Sequence, residues 1–278
     1  MMKGPITRKE FLASTTRTVA AVSAGVVAGH VISASGGQSR QAGITNAALA
    51  PWPWPYSRLD REDVRKRAHK AYYDGGCAYG AFHALISALV DAVGEPYTRI
   101  PTQMMYFGGG GAAGWGTLCG ALNGSAVAIS IAVDRANANV IIGELMGWYT
   151  QVQFPSNISN DYATQHVFLI NKNDKPLMQT VAGSTLCHAS VSNWCTEAGV
   201  KASAPERSER CARLTGDTAA HAVDLLNDYF SGRFRATFVA PESVVGCMSC
   251  HSSVIGNVQA TVKMDCQQCH KDNWDHLY

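Results

Sequence analysis

Charge is scarce in this 278-residue chain: Asp, Glu, Lys and Arg make up 16% of it, and the net charge is +2. Such a surface gives no electrostatic reason to expect nucleic-acid binding. The apolar stretch at residues 19–32 is too short and too mild to span a membrane. The chain shows no serine triad and no grouping of catalytic acids, since its Asp and Glu are scattered. What remains is a packed globular protein, with 46% hydrophobic residues, whose chemistry must come from other residues.

Two copies of one short motif near the C-terminus indicate that chemistry: CMSCH at residues 247–251 and CQQCH at residues 266–270. Each is C-x-x-C-H, the attachment site of a c-type haem. The two thiols lie about one helical turn apart and add to the two vinyl groups of one porphyrin, while the adjacent His ligates the iron. The sequence therefore predicts two covalently bound haems c. The predicted attachment residues are Cys247, Cys250, Cys266 and Cys269, and the predicted proximal iron ligands are His251 and His270.

The same residues allow two other interpretations. A zinc knuckle would use Cys and His as well, but structural zinc takes four ligands, and these motifs offer six. An exported chain would also be able to oxidise its thiols to disulfides. Neither alternative explains why a His directly follows the second Cys of both motifs, so haem attachment is favoured.

The N-terminus has the pattern of an export signal. A basic start with Lys3, Arg8 and Lys9 precedes the apolar residues 19–32. The sequence TRKEFL at residues 7–12 resembles the twin-arginine signal, with Lys in place of the second Arg. An ordinary Sec signal and an uncleaved anchor are the alternatives. We expect a periplasmic protein exported by the twin-arginine route, because that route carries folded proteins that already hold a cofactor.

Five cysteines remain outside the haem motifs: Cys77, Cys119, Cys187, Cys195 and Cys211. No two of them form C-x-x-C, so ordinary ferredoxin spacing is absent and ligands would have to converge from separate helices. Four thiolates are the usual ligand set of an iron–sulfur cluster. The alternatives are buried free thiols, a Cys187–Cys195 disulfide, or a thiol module that oxidises reversibly without iron.

A glycine-rich loop at residues 108–111 and 114–116 precedes Cys119. It lacks the G-x-x-x-x-G-K-[S/T] sequence, and no clear strand leads into it, so it is not a phosphate-binding loop. We expect close approach of its backbone to a helix or cofactor, with backbone N–H groups available to cluster sulfurs.

The apolar periodicity predicts a mainly α fold. Helices are expected at residues 58–93, broken at Gly75-Gly76, and at 118–133, 138–152, 184–197 and 206–230, with irregular chain at 155–175. In the Pro/Trp-rich segment, alternating Pro forbids a helix and favours an extended strap whose Trp side chains pack on the body. The predicted parts are an export signal (residues 1–36), a Pro/Trp-rich linker (37–57), a helical cysteine-rich iron–sulfur domain (58–240) and a short, loop-rich dihaem cytochrome c tail (241–278).

The sequences GCAYG at residues 76–80 and LCGA at 118–121 are followed by further cysteines. This pattern resembles the bacterial C-GCAxxG-C-C family, although Gly75 stands near the place of its first Cys. With the two C-x-x-C-H motifs, the chain from Arg58 onward resembles the split-Soret cytochromes c of sulfate-reducing bacteria. The resemblance implies a homodimer with two haems per subunit, clustered near the interface, and a [2Fe–2S] centre. The implied cluster ligands are Cys77, Cys119, Cys187 and Cys211, with Cys195 as the alternate to Cys187.

The sixth ligands of the haem irons decide between electron transfer and catalysis. His276 is a candidate distal ligand because it follows His270 closely, and it could come from the other subunit. His188 is the second candidate. Met248 and Met264 are the methionine alternatives, which would raise the reduction potential. We expect both haems to have two His ligands.

The surplus of His and the lack of grouped catalytic acids favour electron transfer among the haems, the cluster and other periplasmic redox proteins. We therefore expect an electron carrier rather than an enzyme, with no stable membrane insertion. The alternative is a haem-dependent oxidoreductase acting on a small inorganic substrate such as a nitrogen oxide. That reaction needs an open coordination position, so CO binding to the reduced haem distinguishes the two.

Overall fold

The computed structural model describes residues 50–251 and 263–268, all within one compact unit, Leu49–Tyr278. The predicted export signal, most of the linker, Cys269, His270 and His276 lie outside the described residues. The helices are α1 (Arg61–Val93), α2 (Gly120–Ala132), α3 (Arg135–Gln151), α4 (Asn157–Thr164), α5 (Cys187–Ala198), α6 (Pro205–Phe230) and α7 (Glu242–His251). Three short 3₁₀ helices span Tyr97–Arg99, Thr102–Gly108 and Cys266–Gln268, and strands β1 (Gln153–Phe154) and β2 (Thr180–Val181) form one antiparallel pair.

The fold is mainly α, as the sequence predicts, and α1 is its central helix. Asp60 caps α1 by accepting hydrogen bonds from the backbone N–H groups of Glu62 and Asp63 at 2.8 and 2.9 Å. Non-helical backbone at Gly75 and Gly76 breaks the helix, which confirms the predicted interruption, and Gly76 has a φ of +81° that favours glycine. The break places Cys77 at the start of the second half of α1.

Helix α1 packs most extensively against α6 and next against α2. Small residues allow close approach to α2: a Cβ added at Gly124 would stand 2.3 Å from the carbonyl oxygen of Ala78. By length and hydropathy α1 could cross a membrane, but 61% of its apolar window is buried inside the protein. That burial identifies α1 as the helix around which the core forms.

The expected irregular chain at residues 155–175 is wrong at its start, where α4 forms. Ser156 caps α4 through a hydrogen bond from the Ser159 backbone N–H to its Oγ at 3.1 Å. The buried carboxylate of Asp217 on α6 also accepts from the Ser156 backbone N–H at 2.8 Å and from the Ser159 hydroxyl at 2.7 Å. The apolar pattern of this short helix is weak, and a tertiary contact with α6 stabilises its start. The local sequence therefore does not predict it.

The Pro/Trp segment forms the predicted strap. The Trp52 indole N–H donates to the Ser130 carbonyl at 2.7 Å, and the Trp54 backbone N–H donates to the Ile131 carbonyl at 2.9 Å. The Trp54 ring also meets the edge of Tyr97, with centroids 5.3 Å apart. The two hydrogen bonds attach the strap to the C-terminal half of α2, and the ring contact attaches it to the first 3₁₀ helix.

The tail is less loop-rich than expected, because α7 occupies ten residues of it and ends at the His of the first C-x-x-C-H motif. Before α7, the Phe238 ring lies against Gly147 of α3, and the Phe238 backbone N–H donates to the Glu144 carboxylate at 2.9 Å. The segment that leads into the tail is therefore attached to the helical body along α3.

Candidate metal centre

Four of the five non-haem cysteines line one small cavity in the core: Cys77, Cys119, Cys187 and Cys211. They come from four separate elements, as the absence of C-x-x-C spacing predicts. Cys77 follows the break in α1, Cys119 is the residue before α2, Cys187 opens α5, and Cys211 lies in the second turn of α6. About 20 Å³ is free between the side chains that line this cavity, so the four thiols lie close together around a small shared space.

A backbone bridge between two loops brings Cys119 and Cys187 together. Leu118 and Leu186 form an isolated antiparallel bridge. On either side of it, the Cys119 N–H donates to the Thr185 carbonyl at 2.9 Å and the Cys187 N–H donates to the Thr117 carbonyl at 2.7 Å. The N-termini of α2 and α5 thus converge on the cavity, and their positive dipole ends favour negative charge there.

Cys77, Cys119 and Cys211 are buried and Cys187 is half-buried, and burial raises the pKa values of Cys77, Cys119 and Cys187. Cys77 and Cys119 are 8% and 5% exposed. Burial is the largest cause for Cys77, Cys119 and Cys187, with repulsion among the neighbouring thiolates added, and it raises the pKa of Cys187 to about 12. Such thiols stay protonated on their own, and a bound metal would have to displace their protons.

Several hydrogen-bond donors point at these sulfurs. The Gly110 backbone N–H, in the glycine-rich loop, donates to Cys77. The backbone N–H groups of Ala121 and Leu122 donate to Cys119. Each of these bonds favours the thiolate and lowers the pKa that burial raises. The loop therefore supplies one backbone donor to a sulfur and the start of α2 supplies two more, and donors of this kind tune iron–sulfur clusters.

Side chains complete the surroundings of the thiols. The Tyr149 hydroxyl lies within hydrogen-bonding distance of both Cys119 and the Ser190 hydroxyl, the latter at 3.0 Å. Arg207 makes a side-chain hydrogen bond with Cys211. Arg210 lines the same cavity. Sequence reasoning missed Tyr149 and Arg210, and the only available signal was that Arg210 directly precedes Cys211.

Close packing leaves no space for a larger residue at Gly120. A Cβ there would lie 2.6 Å from the Cys77 Sγ and 2.5 Å from the Gly108 carbonyl oxygen. Both distances are shorter than a carbon atom tolerates. The glycine that follows Cys119 is thus what lets the N-terminus of α2 approach the Cys77 thiol.

The fifth cysteine lies apart from this group. Cys195 is partly exposed on α5 and does not line the cavity, whereas Cys187 does. The structure therefore groups Cys187 with the other three thiols. Every cysteine whose side chain the structure describes is a free thiol, so the alternative Cys187–Cys195 disulfide is not formed.

Four thiols around one small cavity, three of them buried and Cys187 half-buried, fit an iron–sulfur cluster by their chemistry, because thiolates are its usual ligands. Across residues 50–251 and 263–268, no three Cys, His, Asp or Glu side chains are arranged around a single metal ion. The thiols instead surround a shared space at the meeting point of four elements, which suits a cluster better than one ion.

The described parts of the haem motifs lie close together. Cys247 on α7 and Cys266 in the last 3₁₀ helix, from different motifs, hydrogen-bond through their thiols. The Ser243 hydroxyl donates to the Asp265 carboxylate at 3.0 Å, which joins the segments that carry the two motifs. The Cys250 backbone is helical and His251 ends α7. The two motifs are therefore neighbours in space as well as in sequence.

A second, much larger cavity of about 500 Å³ lies between α3 and the tail. Its lining includes Met146 and Gly147 of α3, Phe238, and Met264 beside the second motif. This volume is within the usual range of cofactor sites. The Met264 sulfur accepts a hydrogen bond from the Ser184 hydroxyl at 3.2 Å.

The candidate distal ligand His188 is exposed at the start of α5, with its Nδ1 3.5 Å from the Ser192 hydroxyl. It lies next to the thiol cavity in sequence, and no His in the described residues lines the large cavity. His69 and His83 are held by Glu209 and Thr102 at 3.0 and 2.9 Å. The distal ligands of both haems remain predictions.

Comparison with known proteins places this site in a family. Residues 79–225 match the family model described as "Putative redox-active protein (C_GCAxxG_C_C)". The chain is 35% identical over 249 residues to split-Soret cytochrome c of Desulfovibrio desulfuricans, covering 87% of this chain and 86% of that protein. A solved structure of that organism's split-Soret cytochrome c, reported with a novel iron centre, superposes with a TM-score of 0.70 at 33% identity, covering 81% of this chain and 93% of the other.

The matched family model defines the class, a redox-active protein of the C-GCAxxG-C-C type. Within that class the chain belongs to the split-Soret cytochrome c family. It is accordingly a cytochrome-type redox protein, and its relatives imply haem and an iron centre.

Proposed function

We propose that this protein is a periplasmic electron carrier that uses two covalently bound haems c and one [2Fe–2S] cluster. The convergence of Cys77, Cys119, Cys187 and Cys211 on one buried cavity is the observation that carries the proposal. When bound, the cluster would supply a one-electron site. The four thiolates would hold it, and the burial of their elements would keep water away from it.

The small size of the thiol cavity favours electron transfer over catalysis at the iron centre. With a volume of about 20 Å³ and four sulfur ligands around it, the cavity leaves no space for a substrate beside a cluster. An electron can reach a buried cluster through the surrounding protein, whereas a substrate would need an opening to the solvent. The backbone N–H groups of Gly110, Ala121 and Leu122 already point at the sulfurs. They would stabilise negative charge on the thiolates without a conformational change.

For the haems, Cys247 with Cys250 and Cys266 with Cys269 would form the thioether bonds, and His251 and His270 would be the proximal ligands. The hydrogen bond between Cys247 and Cys266 supports two haems attached close to each other. The large cavity along α3 offers an apolar surface on which a porphyrin could pack. Close haems exchange electrons quickly, which suits a carrier.

Dimerisation and export complete the proposal. The resemblance to split-Soret cytochromes c supports a homodimer with haems near the interface. The N-terminal sequence pattern supports export by the twin-arginine route, and so redox partners in the periplasm. The partly exposed helix α7, with Val245 58% exposed, is the part of the described tail that a second subunit would cover.

The composition of the purified holoprotein tests this function. We expect two haems per chain by the pyridine haemochrome assay, together with two further iron atoms and two acid-labile sulfides. The reduced protein should show an iron–sulfur signal in electron paramagnetic resonance. A chain with haem but no labile sulfide or extra iron contradicts the cluster, and a chain without covalent haem contradicts the cytochrome tail.

A further inference from the structure

Arg210 is a charged side chain buried beside the four thiols. It lies on α6 directly before Cys211, is 1% exposed, and lines the thiol cavity. It also acts electrostatically on Cys187, whose thiolate it favours. A guanidinium removed from water is costly unless an anion or a full set of hydrogen-bond acceptors compensates it.

The hydrogen bonds of Arg210 are incomplete. Its Nη2 donates to the Ser190 hydroxyl at 2.9 Å, but its Nε is buried without a hydrogen-bond partner. In the part of the chain that the structure describes, no carboxylate lies within ion-pair distance of it. The Ser190 oxygen is shared, because the Tyr149 hydroxyl also donates to it.

Other buried arginines show what a compensated guanidinium looks like in this fold. Arg65 pairs with Asp217 and with Glu62, the latter at 2.7 Å. Arg213, one turn after Arg210, pairs with Glu209 at 2.7 Å and also donates to three oxygen acceptors. Arg210 differs from both in that the nearby groups able to carry negative charge are the thiols of the cavity.

We propose that Arg210 is the fully buried counter-ion of the iron–sulfur centre, beside the half-buried Arg207 that hydrogen-bonds with Cys211, and that it makes the centre easier to reduce. The inference rests on the proposed function, since it needs the cluster that the four thiolates would hold. Four thiolates and the inorganic sulfides leave a cluster with net negative charge, and reduction adds one more electron without forming or breaking a bond. A buried cation stabilises the more negative, reduced form to a greater extent.

The test is a redox titration with dithionite as electron donor, followed by the cluster's electron paramagnetic resonance signal. Arg210→Met keeps much of the side-chain volume and removes the charge. We expect it to shift the one-electron equilibrium at least tenfold toward the oxidised form, which corresponds to about 59 mV. Arg210→Lys retains the positive charge and should recover most of that shift.

Arg233→Met is the matched control, because it removes the same charge from an exposed site. Arg233 pairs with Asp228 at 2.8 Å beyond the end of α6, roughly 30 Å from Arg210 along the helix. In Arg233→Met, the one-electron redox equilibrium of the cluster should stay within twofold of the wild-type value. A change as large as that of Arg210→Met would mean that net charge, not the buried site, sets the potential, and would overturn the proposal.

The remaining outcomes separate this proposal from the proposed function. A wild-type protein without an iron–sulfur signal overturns both. A wild-type cluster whose potential is unchanged in Arg210→Met overturns only the role of Arg210. If Arg210→Met fails to assemble a cluster and Arg210→Lys assembles one, the need for a charge is supported. If neither variant assembles one, shape rather than charge is required, and the counter-ion role is wrong.

Discussion

At the scale of single residues, Cys187 and Cys195 show how position on one helix separates two equivalent candidates. They are eight residues apart, and both lie on α5. Only Cys187, at the first position of the helix, lines the cavity with the other thiols. Eight residues correspond to about 12 Å of helix, so a single small cavity cannot accept both thiols.

This geometry predicts unequal effects of two serine substitutions. Cys187→Ser should remove most of the cluster iron and labile sulfide, because one of four thiolate ligands is lost. Cys195→Ser should leave both within about a tenth of the wild-type content. Iron and sulfide analysis of the two purified variants makes the comparison. Equal loss in both variants, or loss in Cys195→Ser alone, would contradict the ligand set.

Gly120 is the second residue on which the site depends. Gly120→Ala places a methyl group against the Cys77 sulfur and the Gly108 carbonyl, both within 2.6 Å. We expect loss of cluster binding and a destabilisation of about 1–3 kcal/mol, typical of overpacking. Cluster content and thermal unfolding measure the two effects.

Gly109→Ala is the control for this substitution. Its new Cβ would lie 3.7 Å from the nearest atom, the Tyr106 carbonyl oxygen, which is an ordinary contact. Gly109 belongs to the glycine-rich loop that Gly120 packs against at Gly108, so general damage to that loop would affect Gly109→Ala too. A variant Gly120→Ala with normal cluster content would show that the packing around Cys77 can yield.

At the scale of elements, the sequence predicts the secondary structure of each segment better than its tertiary contacts. The break at Gly75-Gly76 and the long helices follow from local patterns, and the structure confirms them. The bridge between Leu118 and Leu186 joins loops 68 positions apart and carries no local pattern. Helix α4 escaped prediction because the buried Asp217 of α6 holds its start.

The same limit applies to the site. Its cysteines can be found in the sequence, since thiols are rare and their family pattern is recognisable. Arg210 and Tyr149 cannot be found that way, because one Arg or Tyr in a helix is ordinary until its burial beside the thiols is known. The choice between Cys187 and Cys195 likewise needed the position at which α5 begins.

The packing of α3 against α6 predicts a pH dependence of stability. The His221 ring stacks on Trp148 with centroids 4.0 Å apart. Burial, with a smaller contribution from Arg61, lowers the pKa of His221 to about 4, although Glu144 acts in the opposite direction. The unfolded chain therefore binds a proton at a higher pH than the folded protein does.

Stability should consequently fall as the pH decreases from about 6.5 to about 4, by at most about 3 kcal/mol from this residue. His221→Gln should reduce the loss of thermal stability across that window. The exposed His166, as His166→Asn, is the control and should leave the pH dependence unchanged. An identical pH profile in wild type and His221→Gln would contradict the assignment.

At the scale of the whole molecule, the two candidate cofactor regions occupy different parts of one helical body. The thiol cavity is enclosed by α1, α2, α5 and α6, while the tail lies along α3. Tyr149 of α3 reaches the thiol cavity, and Met146 and Gly147 of the same helix line the large one. Helix α3 therefore connects the two regions, as a protein that passes electrons between two kinds of cofactor would require.

We propose that this protein carries electrons through closely spaced, six-coordinate haems and a buried cluster. The most direct measurement is an absorption spectrum of the matured protein, oxidised and reduced, with and without CO. We expect a split Soret band that CO does not change, because close haems interact and no coordination position is open. A single Soret band that shifts with CO would contradict it and favour a haem enzyme acting on a small inorganic substrate.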